Sequence, residues 1–222
     1  MLGALMYTLI WVPLQLIRLL RIWNWKIEGV ERLPSRTTGF VLASNHLNWL
    51  DIAIIGASLP LTYRPWWIAK VEIFQNPIIA WWFHTMHVIP INRGKRDMAA
   101  LNAAERALTD ERAVLIIFPE GHRSRDGGLQ EGRSGAIRLA ARTGCPIVPM
   151  AVWGTERGLK GAFRRTPIRV VFGEAYHPQA PAAHIPFTQM TELTEEMMLR
   201  IAALLPEERW GHYRDRMLAM KA

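Results

Sequence analysis

Apolar positions along this chain follow two different rhythms. Residues 2–17 are apolar at most positions and include no charged side chain, the pattern of a helix with nonpolar surroundings on most sides. From residue 25 onward, short apolar runs alternate with segments in which apolar side chains recur every third or fourth position. The runs at 25–30, 39–43, 66–69, 88–91, 113–118, 147–152 and 168–172 predict strands. The segments 51–59, 77–86, 96–108, 136–143 and 187–205 predict helices, with Pro77 in a first turn where its missing N–H costs nothing. A glycine-rich loop, 121–135, feeds the helix at 136. This alternation predicts an α/β fold, a mixed β-sheet sandwiched by helices, with functional loops gathered at the carboxyl ends of strands. His46, Arg93 and Glu120 all fall at such ends.

Composition narrows the picture. A length of 222 residues suits one domain with ample core, and half hydrophobic content with 21% charged residues excludes general disorder. We divide the chain into an apolar helical segment, 1–24, and an α/β domain, 25–222. The formal net charge of +8 calls for an anionic partner: a phosphate-bearing ligand, an acidic membrane surface or nucleic acid. Cys145 is the single cysteine, which excludes an intrachain disulfide and fits a reducing compartment.

The first segment has no basic residues ahead of its apolar stretch and no small-residue cleavage site, so it does not read as a secretory signal. It is short of the roughly 20 residues that span a bilayer, and Pro13 interrupts it. Trp11, Trp23 and Trp25 mix with Arg18, Arg21 and Lys26, a combination that favours the membrane interface. The favoured reading is a helix embedded in one leaflet, on the cytoplasmic face, over a true span or a buried core helix. The basic run Arg157, Lys160, Arg164, Arg165 and Arg169 then reads as a contact to anionic lipid heads.

Candidate chemistry starts at His46 and Asp51, which follow the apolar run ending at Ala43. Five positions along a regular helix turn about 500°, so a mid-helix pair at this spacing points apart. With His46 in the strand-to-helix turn and Asp51 in the first helical turn, the two side chains fold together. Asp51 then accepts from one ring nitrogen, and the other is left to take a proton from a substrate hydroxyl. The same pair also suits a structural histidine satisfied by a helix-capping aspartate. Two further strand ends carry anion chemistry: Arg93-Gly94-Lys95, and Glu120-Gly121-His122-Arg123-Ser124-Arg125. Glu120 is expected to orient Arg93 or Arg123, or to accept from a substrate hydroxyl. No G-x-S-x-G elbow occurs, and Gly132-Arg133-Ser134-Gly135 has the wrong spacing. His84 and His87 lack acidic or cysteine partners, so no metal site is expected.

Four blocks then stand in order: Asn45-His46-x4-Asp51, the segment Trp67 to Phe74 leading to Ile89-Pro90-Ile91-Asn92-Arg93, Phe118-Pro119-Glu120-Gly121-His122-Arg123-Ser124, and Val148-Pro149-Met150-Ala151-Val152. Together they resemble the glycerolipid acyltransferases of the 1-acyl-glycerol-3-phosphate acyltransferase type, over 27–177. The resemblance implies His46 as general base with Asp51 its partner. It implies Arg93, Glu120, Gly121, Arg123, Ser124 and Lys70 around the phosphorylated acceptor, and Val148 and Pro149 on the acyl side. It further implies acyl-CoA or acyl-carrier protein as co-substrate, no cofactor, no nucleic acid, and a membrane-associated enzyme acylating a lysophospholipid, foremost 1-acyl-glycerol-3-phosphate. Histidine stands at 122 where the family commonly has threonine, and asparagine at 48 where it commonly has serine. Glycerol-3-phosphate or another lysolipid is the alternative acceptor. A lysophospholipid hydrolase lacks a nucleophile here, and a nucleic-acid or membrane-binding module accounts only for the charge.

Overall fold

In this computed structural model, which describes residues 2–63, 65–92, 97–179 and 185–221, the apolar runs become seven strands. They are β1 (Trp25–Glu28), β2 (Phe40–Ser44), β3 (Pro65–Lys70), β4 (Val88–Ile91), β5 (Val114–Ile117), β6 (Ile147–Trp153) and β7 (Ile168–Phe172). One sheet contains them all, in the order β1-β7-β6-β2-β5-β3-β4. The run from β6 to β4 is parallel, β7 is antiparallel to β6, and β1 is parallel to β7. The sheet is therefore mixed, as the alternation of elements predicts. The helices are α1 (Leu2–Leu19), α2 (Leu50–Ser58), α3 (Pro77–Thr85), α4 (Met98–Thr109), α5 (Gly135–Thr143), α6 (Gly158–Phe163), α7 (Phe187–Ala202) and α8 (Arg214–Ala219). The pattern did not predict α6 and α8. Each is 6 residues long, too short to display a helical period.

Strand periodicity divides the core in two. Val41, Ala43, Leu115, Ile147 and Ala151 face α4, α5 and α7, whereas Phe40, Leu42, Val114, Ile116, Val148, Met150 and Val152 face α2 and α6. Every residue of β2 is buried, as expected of a central strand covered on both faces. From β2 the chain passes through α2 to β3, beyond β5; from β5 it returns through α5 to β6, on the other side of β2. The strand order thus diverges at β2, which opens a crevice outside its carboxyl end.

The apolar first helix packs on α2. Tyr7 Oη donates to the Gly56 carbonyl (2.7 Å), Trp11 Nε1 to the Leu59 carbonyl (2.9 Å), and Gln15 Nε2 to the Ala57 carbonyl. These donors, four residues apart, form one stripe that bonds carbonyls at the end of α2; that of Gly56 also accepts the Leu59 N–H. It also explains why α2 is apolar nearly all round, with the sheet on one side and α1 on the other. On its outer side α1 carries a second stripe, Leu2, Leu5, Leu9, Val12, Leu16 and Leu19, with Leu9 65% and Leu19 76% exposed. The helix continues through Pro13. Trp23 and Trp25, on either side of the 24/25 division, are buried in the same core cluster.

Two substitutions separate the faces of α1. Trp11→Phe, which removes a donor to the end of α2, is expected to lower unfolding stability by about 1 kcal/mol. Leu9→Ser, on the outer stripe, should stay within about 0.5 kcal/mol of the wild type. Urea titrations in mild detergent measure both.

Candidate active site

The strand β2 ends at Ser44, and the next turn carries His46 into the crevice, where its side chain is 15% exposed. Asp51, in the first turn of α2, is fully buried. His46 Nδ1 donates to Asp51 Oδ2 at 2.8 Å, so the proton sits on Nδ1 and Nε2 is the basic nitrogen. The same Oδ2 accepts the backbone N–H groups of Leu47 (2.6 Å) and Asn48 (2.8 Å), while Oδ1 accepts the Thr155 hydroxyl at 2.5 Å. Phe118 stacks under the imidazole, with ring centroids 4.0 Å apart and planes 14° from parallel.

The histidine's main chain is held as firmly as its ring. Its N–H donates to Glu120 Oε1 (2.7 Å), and its carbonyl accepts from Ser124 N–H (2.8 Å). Glu120 Oε2 accepts from Gln130 N–H at 2.9 Å. Glu120 thus ties the turn after β2 to both ends of the loop after β5. Both of its oxygens serve backbone N–H groups, and among the described residues no arginine, Arg123 included, pairs with it; Arg93, the other expected partner, lies outside the described residues. Glu120 is 1% exposed. Burial pushes its carboxyl up to about 7, against the opposing pull of the Gln130 and His46 N–H groups.

The loop 121–135 is ordered by its own polar groups. Gly121 has φ of 73°, and a Cβ there would come within 3.1 Å of the Arg133 guanidinium. Arg133 therefore lies in the same loop as the exposed Arg123 and His122. The Ser124 hydroxyl donates to Asp126 and accepts from Gly127 N–H, so it is engaged in the turn. From the far end of the chain, residues 207–213 strap the loop down. Leu129 N–H donates to the Arg209 carbonyl, His212 N–H to the Leu129 carbonyl, and Gly132 N–H to Tyr213 Oη. Arg209 also ion-pairs with Glu156 in the loop after β6, and donates to the Gly127 carbonyl.

The remaining expected site residues are more scattered. Lys70 is exposed at the carboxyl end of β3. Arg93 lies outside the described residues; on either side of it, Asn92 donates through its backbone and side-chain N–H to Asp97 Oδ2, and Asp97 caps α4. Val148 and Pro149, expected on the acyl side, are buried sheet residues, and Val148 is sealed beneath α2. Their position carries β6 to Gly154 and Thr155. Thr155, Arg133, Arg209 and Tyr213 were given no site role from sequence, and Asn45 and Phe118 entered only as members of their blocks. Thr155 had one available signal, as a small polar residue directly after an apolar strand at its carboxyl end. Arg209 and Tyr213 had none, because they reach the site only through the fold.

The site thus combines a buried carboxylate that holds a histidine with a glycine-bearing loop carrying Arg123, Arg125 and Arg133, at the switch point of a mixed sheet. The family model for acyltransferases matches residues 24–153, and the chain belongs to that family. The 1-acyl-sn-glycerol-3-phosphate acyltransferase BAT2, chloroplastic, of Brassica napus is 36% identical over 151 residues, covering 65% of this chain. The chain spans only 43% of that relative's length. The 1-acyl-sn-glycerol-3-phosphate acyltransferase of Bacillus subtilis (strain 168) is 32% identical over 181 residues, 81% of this chain and 87% of the relative. The crystal structure of the 1-acyl-sn-glycerophosphate (LPA) acyltransferase PlsC from Thermotoga maritima shares the fold, with a TM-score of 0.61 at 24% identity over 90% of this chain and 73% of that one.

Glu120 has a testable pH signature. Its folded value of about 7 lies above the ordinary 4.5, so the folded state holds its proton more tightly than the unfolded state. That contribution to stability is complete below pH 4.5 and is lost as pH rises through about 7. Glu120→Gln turns an amide donor toward a backbone N–H and is expected to cost about 1–3 kcal/mol. The wild-type advantage over this variant should be largest at acid pH and shrink toward pH 8, as read from denaturation midpoints across that range.

Proposed function

We propose that the protein transfers a fatty acyl group from the thioester of acyl-CoA or acyl-carrier protein to the free hydroxyl of 1-acyl-glycerol-3-phosphate, forming phosphatidate. The observation that carries this reading is the 2.8 Å contact between His46 Nδ1 and the fully buried Asp51. The names of the relatives support the acceptor. The hydroxyl oxygen attacks the thioester carbonyl carbon as its proton passes to His46 Nε2; the tetrahedral intermediate collapses, the C–S bond breaks, and the departing thiolate is reprotonated. Asp51 keeps the imidazole in the Nδ1–H form and stabilises the imidazolium. Arg123, with Arg93 and Lys70, receives the acceptor phosphate, and the strapped loop fixes its distance from the base. Arg133, beside Gly121, adds to the same positive field. Holding the two substrates together contributes alongside base catalysis.

The reaction takes place at a membrane surface in this reading. Support comes from the exposed leucine stripe of α1, from Trp49 and Ile52 beside the histidine turn, and from Leu159 and Phe163 on α6. Arg157, Lys160, Arg164 and Arg165 are exposed around those apolar side chains and suit anionic head groups on the cytoplasmic face.

His46→Ala is expected to lower kcat on the order of 10²- to 10⁴-fold with little change in acceptor binding, and Asp51→Asn should retain part of the rate. Arg123→Ala should raise KM for phosphorylated acceptors roughly tenfold and leave the donor KM nearly unchanged. A panel of lysophosphatidate, glycerol-3-phosphate and neutral lysolipids with both donors tests the assignment. Near-normal turnover by His46→Ala refutes the mechanism, and preference for another acceptor refutes the substrate.

Replacing Leu5, Leu9 and Leu16 together by serine should release the protein from vesicles. Charge reversal at Arg164 and Arg165 should weaken binding to anionic vesicles by about 1 kcal/mol per residue and leave binding to neutral ones unchanged. Flotation that is insensitive to both changes overturns the membrane assignment.

A further inference from the structure

Thr155 is far from Asp51 in sequence, yet its hydroxyl is 2.5 Å from Asp51 Oδ1 and both residues are completely buried. The approach is built into the end of β6. Gly154 has φ of 87°, and a Cβ there would stand 1.9 Å from the Pro167 carbonyl oxygen, so only glycine lets the strand turn at this point. Two residues before Gly154, the Asn45 amide donates to the Val152 carbonyl and accepts from Val152 N–H, each at 2.8 Å. This pins the end of β6 to the residue before His46. Beyond the turn, Gly158 N–H closes on the Thr155 carbonyl at 2.8 Å. Thr155 is thus delivered to Asp51 by fixed backbone on both sides.

Asp51 has about four lone-pair positions and four donors: His46 Nδ1, two backbone N–H groups and the Thr155 hydroxyl. Three of them meet Oδ2, and among the described residues Thr155 alone donates to Oδ1. Resting on the reading of His46 as the base, we propose that Thr155 is a positioning residue that acts through Asp51. Its hydroxyl engages Oδ1, fixes the rotation of the carboxylate, and draws off negative charge that would otherwise bear on His46. Without it, Oδ1 is left without this donor on a side chain that is 0% exposed, where an unpaired acceptor is costly. The carboxylate then pulls harder on the Nδ1 proton and is free to rotate. His46 becomes more basic and less well aimed.

The test uses Thr155→Val, which keeps the shape and removes the donor; Thr155→Cys, a weaker donor; and Thr155→Ser, which restores the hydroxyl. In Thr155→Val, kcat should fall roughly ten- to hundredfold, with KM for donor and acceptor within about twofold of wild type. The acid limb of the pH–kcat/KM profile should move to higher pH. Nitrogen-15 NMR of the imidazole should show the His46 titration midpoint rising in the order Thr and Ser, then Cys, then Val. Introduced into Asp51→Asn, the valine should add little, because its route is already removed. An unmoved His46 midpoint, or an equal loss of rate in the Asp51→Asn background, overturns the proposal; a merely structural hydroxyl would change the denaturation midpoint and leave the titration in place. If Thr155→Val does not fold, the serine–cysteine comparison decides by the same titration. Near-normal turnover by His46→Ala would instead remove the base reading itself, whereas loss of turnover in His46→Ala beside an unperturbed Thr155→Val removes only the role of Thr155.

Discussion

The fully buried Asp51 carboxylate is the group around which the site is organised. Burying a carboxylate is costly unless its oxygens are hydrogen-bonded. Its donors come from the turn after β2, from the main chain entering α2, and from the loop after β6. Three separate pieces of chain must therefore be in place before the charge is tolerable, and the histidine is one of the pieces. Stability and chemistry rest on the same four contacts.

Around that point, the two faces of the sheet have different duties. On one face, α4, α5 and α7 supply ordinary core, and the C-terminal strap beside them reaches the glycine-bearing loop. On the other, α2 is enclosed between sheet and α1, and α1 meets its surroundings through a row of leucines. Polar side chains on an otherwise apolar helix, Tyr7, Trp11 and Gln15, are the ones that bind it to the body. Apolar side chains are the ones left outside, the reverse of a soluble helix.

The strands and the longer helices were legible because their burial depends on local pattern: alternating valine, isoleucine and leucine in β2, β5 and β6, and three-to-four spacing in α4 and α7. The pairing of His46 with Asp51 was legible too, because the two are close in sequence and the turn-to-helix boundary leaves few conformations. Glu120 was harder. A carboxylate between arginines suggests an ion pair, but its partners are backbone N–H groups of His46 and Gln130, and a main-chain donor has no residue type to read. Val148 reads as a lining residue only until the position of α2 shows that it faces core. Thr155 and Arg209 depend on contacts across 104 and 82 positions, a separation at which no periodicity carries information.

The strap formed by residues 207–213 also sets a schedule. Gly132 and Tyr213 are 81 positions apart, and Gly127 and Arg209 are 82 apart. Translation at about 5–20 residues per second places several seconds between the emergence of the glycine-bearing loop and that of the groups that fix it. In that interval the segments of α1 and the histidine turn have already been synthesised. The loop waits for its anchor, and long-range closures of this kind are slow even in a finished chain. A partly synthesised chain thus has the sequence of the glycine-bearing loop before the contacts that fix it, and those contacts form only when the strap arrives.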